Sequence, residues 1–239
     1  MNYQKSCGIV IPVYNSPNHL EELLGRISQT IKQCPDWRFS VLLVDDGSSP
    51  PLPQLTLPGL SSEQIHFEEN RGKGVVLKKG FEHFLKSEDT AAVISIDADL
   101  QHPPEKIPAF LKAFEEDRGD IIVGNRKRTL TVMPFHRIIS NTLTTAIISV
   151  MIRQNVFDSQ CGFRLYSRRV LETVTVTENR FHLESEFLIR SGWQKFKIGC
   201  VPIPTIYNNA PSAIRNLPDT LNFITVILKL TMGRIRGNV

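Results

Sequence analysis

Apolar and polar positions along this chain alternate between two periods. Residues 7–13 (CGIVIPV) form a near-continuous apolar run, the pattern of a strand buried on both faces. After Ser16-Pro17, apolar side chains recur at Leu20, Leu23, Leu24, Ile27 and Ile31, which predicts a helix with one apolar stripe. Further strands are predicted over 39–44, 65–68, 91–96 and 120–124, with helices over 74–85 and 104–116, the latter opened by Pro104. Pro50, Pro51, Pro53 and Pro58 mark 49–62 as an irregular loop. The second half is less regular. It predicts a helix over 133–152, a strand over 162–167, a helix over 183–191, an extended segment over 197–207 and an amphipathic helix over 220–236.

Strands and helices alternating at this spacing predict an α/β fold with a parallel, doubly wound sheet. Such sheets bind ligands beyond the carboxyl ends of their strands. Tyr14-Asn15, Asp45-Asp46, Asn70, Asp97–Asp99 and Asn125-Arg126 all fall at predicted strand ends. No repeat or low-complexity linker divides the chain, so 1–239 reads as one domain.

Composition changes this picture little until the charge is split. With 41% hydrophobic and 22% charged residues, disorder and disulfide-stapled mini-folds are excluded. Residues 1–125 carry 12 basic against 18 acidic side chains and residues 126–239 carry 16 against 6, so the formal +4 divides into −6 and +10. That asymmetry predicts two partners, or one charged ligand spanning both halves. Cys7, Cys34, Cys161 and Cys200 lack metal-ligand spacing and read as reduced buried thiols. The amino terminus lacks the zones of a signal peptide, and no run is long and apolar enough to span a bilayer.

Three clusters carry chemistry. Asp97 and Asp99, two residues apart at a strand end, point the same way and can converge on one hard cation, with Gln101 adding a neutral oxygen. Asp45-Asp46-Gly47-Ser48 places acids where a ribose or base donor can be met; a plain Asp-Gly turn is the simpler reading. In Asn70-Arg71-Gly72-Lys73-Gly74, glycines permit close approach and Lys73 can meet a phosphate at a helix start.

In this order, these strings resemble the family 2 glycosyltransferases of GT-A fold, and within them the dolichyl-phosphate mannose synthase and polyprenyl-phosphate glycosyltransferase subgroup. The match rests on Ile11-Pro12-Val13-Tyr14-Asn15, Val44–Ser48, Asn70–Gly74 and the string DADLQHPPE at 97–105. It is extended by Gly124-Asn125-Arg126 and by Asp158–Arg164, and covers roughly residues 7–207. The resemblance implies a mixed, mainly parallel sheet flanked by helices, with a donor half at 1–125 and an acceptor half at 126–239. It implies a Mg²⁺ or Mn²⁺ ion on Asp97, Asp99 and Gln101. Pro12, Tyr14 and Asp46 then line the base and ribose, with Lys73, Asp97 and Ala98 on the donor side. Asp99, Asp158 and Arg126 are the catalytic candidates, and Arg126 the ligand of an acceptor phosphate. In the subgroup a second arginine stands four residues before a serine; here His136 holds that offset from Ser140, and Arg137 follows. Where the subgroup often has Glu after Tyr-Asn, this chain has Ser16, which leaves GDP or UDP open.

The implied reaction is inverting transfer of a sugar from a nucleotide sugar to a polyprenyl phosphate. A cytoplasmic protein, peripheral on the cytoplasmic face of the membrane, is the corresponding expectation. Arg126, Lys127, Arg128, Arg137, Arg153, Arg234 and Arg236 offer cationic contacts to headgroups, and 138–152 and 221–232 offer apolar ones, although each stretch by itself reads first as a core helix. Relatives often carry membrane helices after the catalytic domain, so a separate membrane-embedded partner is also implied. The main alternative is transfer to a sugar hydroxyl, which needs a base such as Glu184 or Glu186. A nucleotidyltransferase would need a Gly-rich loop after the first strand, and a nucleic-acid module an aromatic platform; neither is present, so no nucleic-acid partner is expected.

Overall fold

The computed structural model describes residues 5–55, 60–128, 133, 135–180, 182–206 and 216–235. Seven strands form one sheet in the order β3-β2-β1-β4-β6-β5-β7. They are β1 (Lys5–Val13), β2 (Trp37–Asp45), β3 (Ser61–His66), β4 (Thr90–Ser95), β5 (Ile121–Arg126), β6 (Arg164–Ser167) and β7 (Ile198–Ile203). β1 pairs parallel with β2 and β4, β2 with β3, and β5 with β7, whereas β6 runs antiparallel between β4 and β5. The sheet is therefore mixed. Six strands aim their carboxyl ends at one edge, and β6 starts from that same edge.

The helices are α1 (Leu20–Ile31), α2 (Lys73–Leu85), α3 (Ile107–Glu115), α4 (Phe135–Ile152), α5 (Arg168–Thr173), α6 (Leu183–Trp193) and α7 (Asn216–Ile235). The pleat of β1 sorts them into layers. A Cβ on Gly8 would sit 2.4 Å from the ring of Phe84, and one on Gly80 would sit 2.5 Å from Val10, so even positions of β1 face α2. The alternate residues Ile9 and Ile11 are equally buried on the other face. On the α2 face, Phe81, Tyr166 and Phe187 of α6 form an aromatic cluster with centroids 5.0–6.0 Å apart. Phe110 of α3 stacks on Phe163 at 4.3 Å.

Element bounds shift where local chemistry competes with periodicity. The third strand lies earlier than expected, over Ser61–His66, because it is a half-exposed edge strand of mostly polar residues. The helix expected from Pro104 begins as a 3-10 turn, Pro104–Lys106, before α3, with Pro108 supplying no amide donor. α5 was not foreseen: Ser167 caps it by accepting from the Val170 amide at 3.3 Å. Residues 56–59 of the proline-rich loop, Tyr207 and Arg236 lie outside the described residues.

Candidate active site

The carboxyl edge of the sheet is built by acids that close loops as well as acids that face outward. Asp45 ends β2 with no exposure; its oxygens accept from the Ser48 amide (3.0 Å), the Leu52 amide (3.2 Å) and His66 Nδ1 (2.9 Å). Burial alone would raise its pKa, but Ser48 and His66 outweigh it and hold it below the usual carboxylate value. Asp46 accepts from the amides of Arg71 (2.8 Å) and Gly72 (2.9 Å), clamping the loop that leads into α2. Burial pushes its pKa up. Gly47, at φ 78°, packs against that loop, where a Cβ would meet the Glu69 carbonyl carbon at 2.5 Å. Beside this turn Tyr14 is exposed and Pro12 half-buried.

Lys73 opens α2 and turns inward. Its ammonium lies 2.6 Å from Asp97 Oδ1 and 3.3 Å from Glu184 Oε1. Burial works against this charge, yet Asp97 and Glu184 together hold its pKa above the usual lysine value. Asp97 takes a second contact from His102 Nε2 at 3.3 Å. Although burial opposes ionisation, Lys73 and His102 keep Asp97 well below the carboxylate range. Asp99 is pushed the other way, by burial and then by the charge of Asp97. Between Asp99 and Gln101, Leu100 adopts φ 59°, a left-handed conformation costly for a leucine, and the Gln101 amide folds back onto Asp99 Oδ1 at 3.0 Å. Ala98 is buried between the two acids.

The loop into β6 meets this cluster from the neighbouring strand. Ser95 Oγ donates to the Gly162 carbonyl at 2.8 Å, and a Cβ on Gly162 would lie 2.5 Å from Asp97 Oδ2. At the loop's start, buried Asp158 receives a two-pronged bond from Arg126, Nε to Oδ2 at 2.7 Å and Nη2 to Oδ1 at 3.0 Å. Arg128 approaches the same carboxylate at 3.9 Å and bonds Thr142, Thr145 and the Phe157 carbonyl. Arg164 is wholly buried and donates to the carbonyls of Cys161, Ser159 and Glu184, each at 2.7 Å. It ties the Asp158 loop to the first turn of α6.

The sequence reading missed two of these roles. In the sequence Arg128 reads only as a surface cation, and Arg164 only as part of a string; contacts 3 to 30 residues away give them their places. The side chain of His136 lies outside the described residues. Arg137 is half-buried on α4, and Ser140 is exposed, its carbonyl accepting from Thr144. Glu186, the alternative base, has no exposure. Its carboxylate accepts from the amides of Thr177 and Glu178, from Thr177 Oγ1 and from Arg190 Nε at 2.6–3.0 Å. α4 carries an exposed apolar ridge of Phe135, Ile139, Leu143 and Val150. No described helix is long and apolar enough to cross a membrane.

Residues 8–175 match the model of glycosyl transferase family 2. The chain belongs to this family. The undecaprenyl-phosphate 4-deoxy-4-formamido-L-arabinose transferase of Proteus mirabilis is 31% identical over 177 residues, 72% of this chain and 52% of that protein. The enzyme of the same name from Edwardsiella ictaluri is 32% identical over 173 residues, 70% and 50% of the two chains. The family 2 chain thus spans about half the length of the curated relatives it matches. Among solved structures, glucosyl-3-phosphoglycerate synthase of Mycobacterium tuberculosis, in complex with Mn²⁺, UDP and glucosyl-3-phosphoglycerate, superposes with a TM-score of 0.68 at 16% identity, over 94% of this chain and 79% of that one. The shared architecture is the GT-A fold, in agreement with the mixed, mainly parallel sheet expected from the motifs.

The donor set at Asp97, Asp99 and Gln101 fits a hard divalent cation. Two carboxylates face one another's charge, and the Lys73 ammonium already stands in as the cation beside Asp97. Among the described residues no group of three or more His, Cys, Asp and Glu side chains forms a ready-made cage. A cation here would therefore complete its shell with ligand oxygens, as Mg²⁺ and Mn²⁺ do on phosphates.

Proposed function

We propose that this family 2 chain transfers a sugar from a nucleotide sugar to a polyprenyl phosphate at a membrane surface, with inversion at the anomeric carbon. Exposed Tyr14 offers a ring to the base beside Pro12, and Asp46 shapes the turn that presents Lys73 to the diphosphate. Asp97, Asp99 and Gln101 would hold Mg²⁺ or Mn²⁺, which would supply charge neutralisation for the departing diphosphate. Arg126 and Arg128, gathered on Asp158, supply the positive charge for the acceptor phosphate and hold it for attack from the opposite face. The donor half is 1–125 and the acceptor half 126–239.

The observation that carries the choice of acceptor is the state of the carboxylates outside the Asp97–Asp99 pair. Glu186 is saturated by four donors, Glu184 is paired with Lys73 and Asp158 with Arg126. None is placed to deprotonate a sugar hydroxyl. A phosphate is already ionised at neutral pH and needs no base. The relatives' names, with their undecaprenyl phosphate, support the same reading.

Release of UDP or GDP from a panel of nucleotide sugars, with and without a polyprenyl phosphate, tests the reaction and assigns the base. Stimulation by the lipid phosphate is expected; equal stimulation by a simple sugar alcohol would sink the acceptor assignment. Asp99→Ala is expected to remove turnover, and full activity in EDTA would remove the metal role. Peripheral docking, through the α4 ridge and the arginines beside it, is read by flotation with anionic vesicles, where salt-sensitive binding is expected.

A further inference from the structure

The Lys73 ammonium stands between two acids at unequal distance. It is 2.6 Å from Asp97 Oδ1, but 3.3 and 3.5 Å from the two oxygens of Glu184. Glu184 Oε1 is buried and, although within ion-pair distance of the ammonium, takes no hydrogen bond, so the pair with Glu184 is the looser of the two. The main chain that carries Glu184 is anchored, since its backbone carbonyl accepts from Arg164 at 2.7 Å. Gly162 closes the third side, where a Cβ would come within 2.8 Å of Nζ and 2.5 Å of Asp97 Oδ2, so glycine there is what lets the ion pair pack this closely.

We propose that Lys73 is an exchangeable counter-ion of Asp97, and that Glu184 is the positioning residue that receives it when a divalent cation takes Asp97. The proposal rests on the reading of Asp97 as a metal ligand. In the metal-free protein Lys73 neutralises Asp97 and limits repulsion between Asp97 and Asp99. On loading, the ammonium closes on Glu184, a shift of about half an ångström from its present 3.3 Å to ordinary hydrogen-bond length, and stays beside the diphosphate. The three side chains then act as a latch that keeps a positive charge beside Asp97 until the metal position is filled.

Mn²⁺ binding to the intact chain, followed by the electron paramagnetic resonance signal of the free ion with and without UDP, tests this. Lys73→Met removes the competitor, and Mn²⁺ alone is expected to bind about tenfold tighter, while UDP binds more weakly. Glu184→Gln removes the receiving charge, and Mn²⁺ is expected to bind about tenfold more weakly. A general field effect would make the same two changes additively. Exchange predicts instead that Glu184→Gln costs less than about twofold once Lys73 is gone. Additive effects in the double variant overturn the latch, as does unchanged Mn²⁺ affinity in Lys73→Met. Lys73→Gln, closer in polarity, replaces Lys73→Met should the latter not fold by circular dichroism. If the wild-type chain binds no Mn²⁺ even with UDP, the metal reading itself falls; wild-type binding with an additive cycle rejects the exchange alone.

Discussion

Glu186→Gln separates a structural carboxylate from a catalytic one. In α6 the wild-type Oε2 accepts from the amides of Thr177 (2.9 Å) and Glu178 (2.8 Å), while Oε1 accepts from Thr177 Oγ1 (3.0 Å) and Arg190 Nε (2.6 Å). Glutamine offers one oxygen to four donors. Turned toward the amides, it sets its NH₂ group against Arg190, whose side chain is only 14% exposed. Turned the other way, it leaves two part-buried amides facing donors. A lost charge-assisted bond costs about 1.5–3 kcal/mol and an unmet buried donor about 1–3 kcal/mol, so a loss of about 3 kcal/mol follows. In a domain of this size about 1 kcal/mol shifts the midpoint by about 2–4 °C, which predicts a fall of about 6–12 °C in Tm. Thermal melts would be paired with kcat measured well below the transition, where kcat is expected to stay within about threefold of wild type. An unchanged Tm with a loss of about 10³-fold in kcat would refute this account. Glu186 would then be a base, and a hydroxyl acceptor would replace the phosphate.

Three other outcomes follow from the same geometry. Gly74→Ala places a methyl group 2.6 Å from the main-chain carbon of Asn179, which cannot rotate away; a loss of about 1–3 kcal/mol in denaturant unfolding is expected, with weaker nucleotide binding because Lys73 moves with its neighbour. Asp45 has a folded pKa below its ordinary value of 3.8, so its contribution is complete above that pH and fades as pH falls through the lower folded value. Asp45→Asn should therefore lower stability at pH 7 and flatten its decline under acid, and an unaltered acid limb in pH-dependent melts would contradict the assignment. Ile139→Ser with Leu143→Ser, at positions 51% and 60% exposed, is expected to leave Tm within about 1–2 °C while reducing vesicle flotation; a large drop in Tm would mean that the ridge is packed, not free.

Much of this fold is legible in the order of residues. The apolar run of β1 and the stripe Leu20–Ile27 of α1 report burial directly, because side-chain period and backbone geometry are locally coupled. The gathering of Tyr14, Asp46, Asp97 and Arg126 at one edge also follows from sequence, since parallel strands joined by helices bring every carboxyl end to the same side. Long-range pairing is different. Nothing local says that Arg164–Ser167 enters antiparallel between β4 and β5, yet that insertion delivers Gly162 to Asp97 and Asp158 to Arg126.

Local periodicity and the order of the motifs suffice to assign the elements, the edge where chemistry sits and the family of motifs found there. Which of those charges are already engaged is settled by contacts across the fold. Asp45 and Asp46 hold loop amides, Glu186 holds the chain at 177–178, and Lys73 joins Asp97 to a glutamate 111 residues away. A charged side chain is a local fact, but its partner is chosen by packing. Desolvation makes that choice costly to leave open, so each buried charge carries a specific counterpart that composition and spacing do not name.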